Sequence, residues 1–172
     1  MIPSEKLADI RAVVLDIDGV LTDGRVGYDG VGKVKFFHYR DGHWIKLALR
    51  AGLIVGALSG AQCPANRQRT DELGFSFCYE GIKDKLAGFE RVLAEWKLAP
   101  HECLYMGDDV IDMPPMRRAG VAVAVADAVP ELDEVADWRT RTPGGHGAVC
   151  ETIRELLIAQ GKLDLALERY RR

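Results

Sequence analysis

Two patterns of apolar residues alternate along the chain. Short runs that are apolar almost throughout occupy positions 12–15, 53–58, 75–79, 103–106 and 121–125, and they are bounded by Gly, Asp or Pro. Runs of this kind are typical of strands that are buried on both faces of a parallel sheet. The chain therefore predicts five such strands.

Between these runs, apolar residues recur at steps of three and four. Positions 41–51 and 83–97 have this spacing, which predicts an amphipathic helix in each range. A further helix is predicted from Ala148 to about Ala159. Strands that alternate with helices predict an α/β fold with a doubly wound, Rossmann-like, mainly parallel sheet. Ligands of such folds gather at the carboxyl ends of the strands.

The segment 25–39 departs from this alternation. It carries apolar and aromatic side chains around the pair Asp29 and Gly30, which favours a tight turn with a positive φ. We expect a small β-hairpin there, projecting from the carboxyl end of the first strand. No segment is left over for a large cap domain. Residues 1–172 are predicted to form one domain, whose polar tail at about 161–172 is mobile or bound to a partner.

Composition narrows the function classes. The 172 residues are 48% hydrophobic and carry a formal net charge of −3, which gives no sign of a nucleic-acid-binding surface. No apolar run approaches the ~18–20 residues that cross a membrane, and no leader pattern opens the chain. The four cysteines form no C-x-x-C pair and are expected to be reduced thiols. These features predict a cytoplasmic protein without a membrane partner.

The first predicted strand ends in two carboxylates, Asp16 and Asp18, with one residue between them. Charge is costly at the edge of a buried sheet, because the two anions repel each other and each is partly desolvated. A hard, oxygen-binding cation such as Mg²⁺ would compensate them, and Gly19 and Gly24 allow the chain to turn sharply around it.

A second acidic cluster follows the strand at 103–106, with Asp108, Asp109 and Asp112 in the sequence G-D-D-V-I-D. Asp108 would meet the same cation from another strand end, while Asp109 and Asp112 would open the next helix, where the helix dipole favours carboxylates. A capped helix with an acidic first turn explains this cluster equally well when it is taken alone.

Two further polar features lie between the acidic clusters. The strand at 53–58 ends in Ser59 and Gly60, which offer a hydroxyl group and backbone amides to an anion, and Lys85 opens the helix at 83–97. Each is weak evidence alone, since Ser is a common helix cap and Lys a common surface residue. Their order along the chain and their positions at strand ends carry the argument.

In this order, these residues resemble the motifs of the haloacid dehalogenase superfamily: D-x-D after the first strand, Ser after the second, Lys, and then G-D-D-x-x-D. More narrowly, nearly the whole chain resembles the capless family of 3-deoxy-D-manno-octulosonate 8-phosphate phosphatases and related sialic-acid-type 9-phosphate phosphatases. The segments that carry this resemblance are 18–24, 40–42, 45–46, 107–114, 123–128 and 144–149.

The resemblance implies a phosphomonoesterase that acts through an aspartyl phosphate. By that resemblance Asp16 is the nucleophile, and Asp18 is the general acid and base. Ser59 and Lys85 hold the phosphoryl oxygens as catalytic and substrate-binding residues. Asp16, the backbone carbonyl of Asp18 and Asp108 bind Mg²⁺.

Substrate contacts and assembly are implied in the same way. Gly60 and Arg69 belong to the substrate site, with Arg69 facing the carboxylate of an acidic sugar phosphate; an exposed helical residue is the alternative for Arg69. A homotetramer would cover the site, and Tyr28, Phe36 and Phe37 could be interface residues, although core packing or exposed hairpin faces explain them almost equally well. The implied pathway is lipopolysaccharide biosynthesis.

Three positions depart from the family pattern, namely Trp44, Ala61 and Cys150, and His146 occupies a variable position within it. Trp44 stands where the family has Gly, Ala61 stands where octulosonate phosphatases have Arg, and His146 and Cys150 fall within a G-G-x-G-A-V-R-E motif. These differences keep a nonulosonate 9-phosphate, or another sugar phosphate, as an alternative substrate. An alternative of another class is a noncatalytic assembly partner or a signalling module on the same fold.

Overall fold

The computed structural model describes residues 4–172, and its main feature is a six-stranded parallel sheet. In chain order the strands are β1 (Ala12–Leu15), β2 (Gly27–Tyr28), β3 (Lys33–Val34), β4 (Ile54–Leu58), β5 (Phe77–Tyr79), β6 (Cys103–Gly107), β7 (Val121–Ala124) and β8 (Trp138–Arg139). The main sheet has the order β5-β4-β1-β6-β7-β8, and β2 pairs with β3 in a separate antiparallel hairpin. The predicted fold class is confirmed.

Helices cover both faces of this sheet. They are α1 (Ser4–Ala8), α2 (Tyr39–Arg50), α3 (Pro64–Leu73), α4 (Lys85–Trp96), α5 (Met113–Arg118), α6 (Ala148–Ala159) and α7 (Leu163–Leu167). The apolar pattern does not predict α3, because its buried residues are Asn66, Thr70 and Leu73, which form no apolar stripe. No helix within residues 4–172 is long and apolar enough to cross a membrane.

Strand β1 is the centre of the sheet, and its four residues are fully buried. Its side chains alternate between two cores: Val13 and Leu15 pack with α2 and α6, whereas Ala12 and Val14 pack with α4. Leu15 lies opposite Ala57 of β4 and Met106 of β6. The residues that follow these three strands therefore meet at one edge of the sheet.

The hairpin forms where the alternating pattern predicts it. Asp29 accepts hydrogen bonds from the amides of Val31 and Gly32, and Gly30 has a φ of +90°. This positive φ confirms the turn prediction. Tyr28 and Phe36 are exposed on the hairpin, as either the interface or the exposed-face interpretation requires.

The C-terminal segment folds back onto its own chain. Leu163 and Leu167 of α7 pack against the core that contains α6. Farther along, the hydroxyl group of Tyr170 accepts a hydrogen bond from Arg50 of α2 at 3.0 Å. The polar composition of this segment predicts a tail that is mobile or bound to a partner. In the structure, two of its leucines instead pack against the core of the same chain.

Candidate active site

A buried charge cluster lies at the carboxyl edge of the sheet. Asp16 directly follows β1, and Lys85 is the first residue of α4. The Lys85 Nζ lies 2.8 Å from Asp16 Oδ1 and 2.6 Å from Asp112 Oδ1. None of these three side chains is more than 5% exposed. One ammonium group thus joins two carboxylates that come from different strand ends.

Asp112 makes contacts that its sequence context did not predict. It directly precedes α5, as expected of a residue that opens the next helix, but its side chain is fully buried and pairs with Lys85. Besides Lys85, its carboxylate accepts hydrogen bonds from the Tyr105 hydroxyl group at 2.9 Å and from the Asp108 amide at 3.1 Å. Asp112 therefore orients Lys85 and the loop that carries Asp108.

Asp108 completes a group of three carboxylates with Asp16 and Asp112. One oxygen of each residue lies within 4.8 Å of the others, which suits ligands of a single metal ion. Gly19 leaves the room that Asp108 needs, because a Cβ atom at this glycine would lie 1.9 Å from Asp108 Oδ2. Its φ of +98° also favours glycine.

The pKa values of these carboxyl groups reflect burial and mutual repulsion. Burial, followed by the charge of Asp112, raises the pKa of Asp16 to about 6 although Lys85 opposes the shift. Burial, followed by the charges of Asp16 and Asp112, raises the pKa of Asp108 to about 8. Burial alone would lower the pKa of Lys85, but its two carboxylate partners raise it. The cluster thus contains three carboxyl groups but only one lysine to balance their negative charge. A divalent cation would balance the remainder.

Asp18 lies at the mouth of the site and is paired with a lysine from the hairpin. The Lys35 Nζ lies 2.6 Å from Asp18 Oδ1 and 2.8 Å from Asp18 Oδ2. The side chain of Lys35 is only 2% exposed, whereas that of Asp18 is 35% exposed. Sequence reasoning missed Lys35. The signal available was a lysine inside the apolar part of the hairpin, next to Phe36.

Ser59 and Gly60 follow β4, the strand that pairs with β1 on the side opposite β6. The Ser59 side chain is buried, and its Oγ accepts a hydrogen bond from the Ala61 amide and donates one to the Ala61 carbonyl. Gly60 is exposed. The turn therefore holds the Ser59 hydroxyl group at the same sheet edge as Asp16.

Arg69 lies on α3 and faces the hairpin. It shares a cavity of about 330 Å³ with Lys35 and Phe37. Its guanidinium group pairs with Glu72 at 3.1 Å, but its buried Nε has no hydrogen-bond partner among the described residues. A Cβ atom at Gly42 would lie 2.3 Å from Arg69, so this glycine makes room for the arginine. The cavity thus contains two cationic side chains, and each is paired with a carboxylate: Arg69 with Glu72 and Lys35 with Asp18.

A glycine-rich loop supports the turn that carries Gly19. A Cβ atom at Gly144 would lie 1.7 Å from the Gly19 carbonyl oxygen, and the Gly145 amide donates to the Val20 carbonyl. Asp127 accepts a hydrogen bond from the Gly144 amide at 2.8 Å and fixes this loop. The close approach explains why two glycines occur here.

The three positions that depart from the family pattern, and His146 at its variable position, lie in different environments. Trp44 is partly buried and packs against the core, and this packing accounts for its bulk. His146 is exposed, with its Nδ1 beside the Gly144 carbonyl, and Ala61 takes part in the Ser59 turn. The Cys150 amide donates to buried Asp41 and joins α6 to α2.

Comparisons with known proteins identify the family to which this chain belongs. A family of haloacid dehalogenase-like hydrolases matches residues 76–153. The 3-deoxy-D-manno-octulosonate 8-phosphate phosphatase of Escherichia coli (strain K12) is 43% identical over 162 residues, which cover 94% of this chain and 86% of that protein. The chain belongs to this phosphatase family.

Solved structures of this family have the same fold. The Yersinia pestis 3-deoxy-D-manno-octulosonate 8-phosphate phosphatase superposes with a TM-score of 0.91 at 37% identity, over 94% of this chain and 88% of that one. The Moraxella catarrhalis phosphatase, solved in complex with a magnesium ion, a phosphate ion and a KDO molecule, has a TM-score of 0.94 at 29% identity, over 97% of each chain. The family resemblance predicted from the motifs is confirmed.

Proposed function

We propose that this protein is a Mg²⁺-dependent phosphomonoesterase that hydrolyses 3-deoxy-D-manno-octulosonate 8-phosphate through an aspartyl phosphate. The observation that carries the proposal is the buried cluster of Asp16, Lys85, Asp108 and Asp112 at the carboxyl edge of the sheet. The names of the relatives, and the ligands bound to the Moraxella catarrhalis phosphatase, support this substrate and this cation.

In the first step, an Asp16 carboxylate oxygen attacks phosphorus and the bond from phosphorus to the sugar oxygen breaks. Asp18 gives a proton to that oxygen, which leaves as an alcohol. Lys85 and the Ser59 hydroxyl group bind the phosphoryl oxygens. The ammonium of Lys85, 2.8 Å from Asp16, is suitably placed to balance charge that develops on them.

In the second step, Asp18 takes a proton from water, and the resulting hydroxide attacks the phosphorus of the aspartyl phosphate. The bond from phosphorus to Asp16 breaks, which releases inorganic phosphate and restores the carboxylate. Asp16, Asp108 and the Asp18 carbonyl would hold Mg²⁺, which supplies positive charge to the transferring phosphoryl group. Asp112 keeps Lys85 in place throughout.

The acidic part of the substrate fits the cavity between the hairpin and α3. Arg69 lines this cavity, where its guanidinium group pairs with Glu72 at 3.1 Å. A carboxylate is a suitable acceptor for a guanidinium group. Gly60 offers a backbone amide on the exposed turn after β4.

Assembly into a homotetramer and a cytoplasmic location are parts of the same proposal. The hairpin exposes several large apolar side chains, including Tyr28, Val31 and Phe36, and a large exposed apolar surface is typical of an interface. The four cysteines are free thiols, which a reducing compartment preserves.

Phosphate release from the purified protein with Mg²⁺ tests the function. The substrates are 3-deoxy-octulosonate 8-phosphate, a nonulosonate 9-phosphate and glucose 6-phosphate, and Asp16→Asn is the inactive control. We expect the octulosonate ester to give the highest kcat/KM. A preference for the nonulosonate ester would leave the chemistry intact and overturn the substrate. Equal activity of Asp16→Asn would overturn the mechanism.

A further inference from the structure

Lys35 is the feature of the site that the proposed steps do not use. We propose that Lys35 is a positioning residue that holds the Asp18 carboxylate in the orientation required for both proton transfers. The inference rests on the proposed function, since it assigns a role within that reaction. Lys35 acts through Asp18 and forms no bond to phosphorus.

The burial of Lys35 supports this role. A lysine side chain that is 2% exposed has lost most of its hydration, which is costly unless a carboxylate compensates the charge. The compensating group is Asp18, and both of its oxygens lie within 2.8 Å of the Lys35 Nζ. The hairpin thus reaches the site through one buried ion pair.

The exposure of Asp18 explains why the lysine is needed. Its side chain is 35% exposed at the mouth of the site, so few packed neighbours restrict its rotamer. A contact to both carboxylate oxygens fixes the plane of the group as well as its position. Proton transfer requires this precision, because donor and acceptor must approach to hydrogen-bond distance. Without Lys35, Asp18 would sample orientations that face solvent.

The two chemical steps depend on Asp18 in ways that an experiment can separate. A sugar alkoxide is a poor leaving group and needs the proton from Asp18, whereas para-nitrophenolate leaves without one. With para-nitrophenyl phosphate, the loss of Asp18 positioning should therefore spare formation of the aspartyl phosphate. Its hydrolysis still needs Asp18 as a base, so the intermediate should accumulate and a burst of nitrophenolate should appear.

Lys35→Met is the test variant and Lys33→Met is the matched control, since Lys33 is an exposed residue of the same hairpin. We expect Lys35→Met to lower kcat for the octulosonate ester by roughly 10- to 100-fold and to change KM by less than about threefold. The expected loss of kcat is smaller than the full effect of removing a general acid and base, because Asp18 is still present. It should also give a burst of about one nitrophenolate per site. Lys33→Met should behave as wild type.

A double-mutant cycle tests whether Lys35 acts through Asp18. In an Asp18→Asn background, Lys35→Met should cause little further loss of kcat, because the carboxylate that it orients is already gone. Lys35→Arg, which keeps a cation at this position, should recover part of the activity. It also provides a second variant if Lys35→Met fails to fold, as judged by thermal unfolding.

Three results would overturn the proposal. The first is a raised KM with an unchanged kcat in Lys35→Met, which would make Lys35 a substrate ligand. The second is a loss of kcat in the double variant that equals the product of the losses in the two single variants. The third is an activity of Lys35→Met equal to that of Lys33→Met. Failure of the proposed function gives a different result, because the wild-type protein would then release no phosphate from any ester.

Discussion

Acidification should weaken Mg²⁺ binding by this protein far more than it would at an ordinary carboxylate site. The metal-free pKa values are about 8 for Asp108 and about 6 for Asp16, both raised first by burial and then by neighbouring carboxylates. A cation binds the ionised forms, so protons compete with it below these values. Ordinary aspartates, with a pKa of about 3.9, would be ionised throughout this range.

The pKa values set the size of the effect. Between pH 8 and pH 6, the ionised fraction falls roughly fiftyfold for Asp108 and roughly twofold for Asp16. The apparent Kd for Mg²⁺ should therefore rise on the order of a hundredfold, equivalent to about 3 kcal/mol. Most of the change comes from Asp108, because its pKa lies at the upper end of the range.

Thermal unfolding in a Mg²⁺ titration at pH 6, 7 and 8 measures this change, because a ligand that binds only the folded state stabilises it by RT ln(1 + [L]/Kd), so the rise in the midpoint at each Mg²⁺ concentration reports the apparent Kd. Asp108→Asn should remove the Mg²⁺-dependent stabilisation at every pH. Asp109→Asn is the matched control, since Asp109 is exposed and its side chain caps the Val110 amide.

Titration curves that coincide at pH 6 and pH 8 would refute this reasoning. They would mean that Asp108 is already ionised at pH 6 and that burial and the charge of Asp16 perturb it little. A strong pH dependence that persists in Asp108→Asn would be equally damaging, because another group would then be the competing acid.

Three further perturbations test the site and the assembly. Lys85→Met leaves Asp16 without its cation and should lower the free energy of unfolding by about 3–5 kcal/mol in urea titrations of the metal-free protein; a loss below about 1 kcal/mol would contradict the pairing. Gly19→Ala places a methyl group 1.9 Å from Asp108 Oδ2, so both phosphatase activity and stabilisation by Mg²⁺ should be lost, and retention of either would contradict this contact. Phe36→Ser should reduce the oligomer size measured by light scattering, and an unchanged size would argue against a hairpin interface.

Much of the fold was predictable because burial leaves a simple pattern in the sequence. Strand β1 is apolar at every position and is followed by Asp16, so its burial on both faces of the sheet was predictable from the residue types. Asp108 follows a neighbouring strand of the same kind, and the structure places its oxygens near those of Asp16. The carboxyl ends of parallel strands lie at the same edge of a sheet, and the prediction that Asp16 and Asp108 meet rested on this general geometry.

The rest of the site depends on contacts that a sequence pattern does not contain. Asp112 occupies a sequence that also suits a helix cap, and its burial is determined by Lys85, which lies 27 positions earlier in the chain. Lys35 reaches Asp18 only because of the way the hairpin packs over the strand ends. Helix α3 was not predicted because two of its three buried residues, Asn66 and Thr70, are polar.

The balance of charge in the buried cluster bears on the order in which Mg²⁺ and substrate bind. Three carboxylates meet one ammonium in the cluster, and a phosphate ester adds further negative charge directly beside Asp16. In the metal-free protein, burial and the charges of Asp16 and Asp112 raise the pKa of Asp108 to about 8, which favours its protonated form at neutral pH. A substrate that entered first would raise the pKa of both carboxyl groups further and oppose the ionised Asp16 that attack requires. We therefore expect productive binding to follow occupation of the site by the cation, because the cation offsets the repulsion between the Asp16 carboxylate and the phosphate.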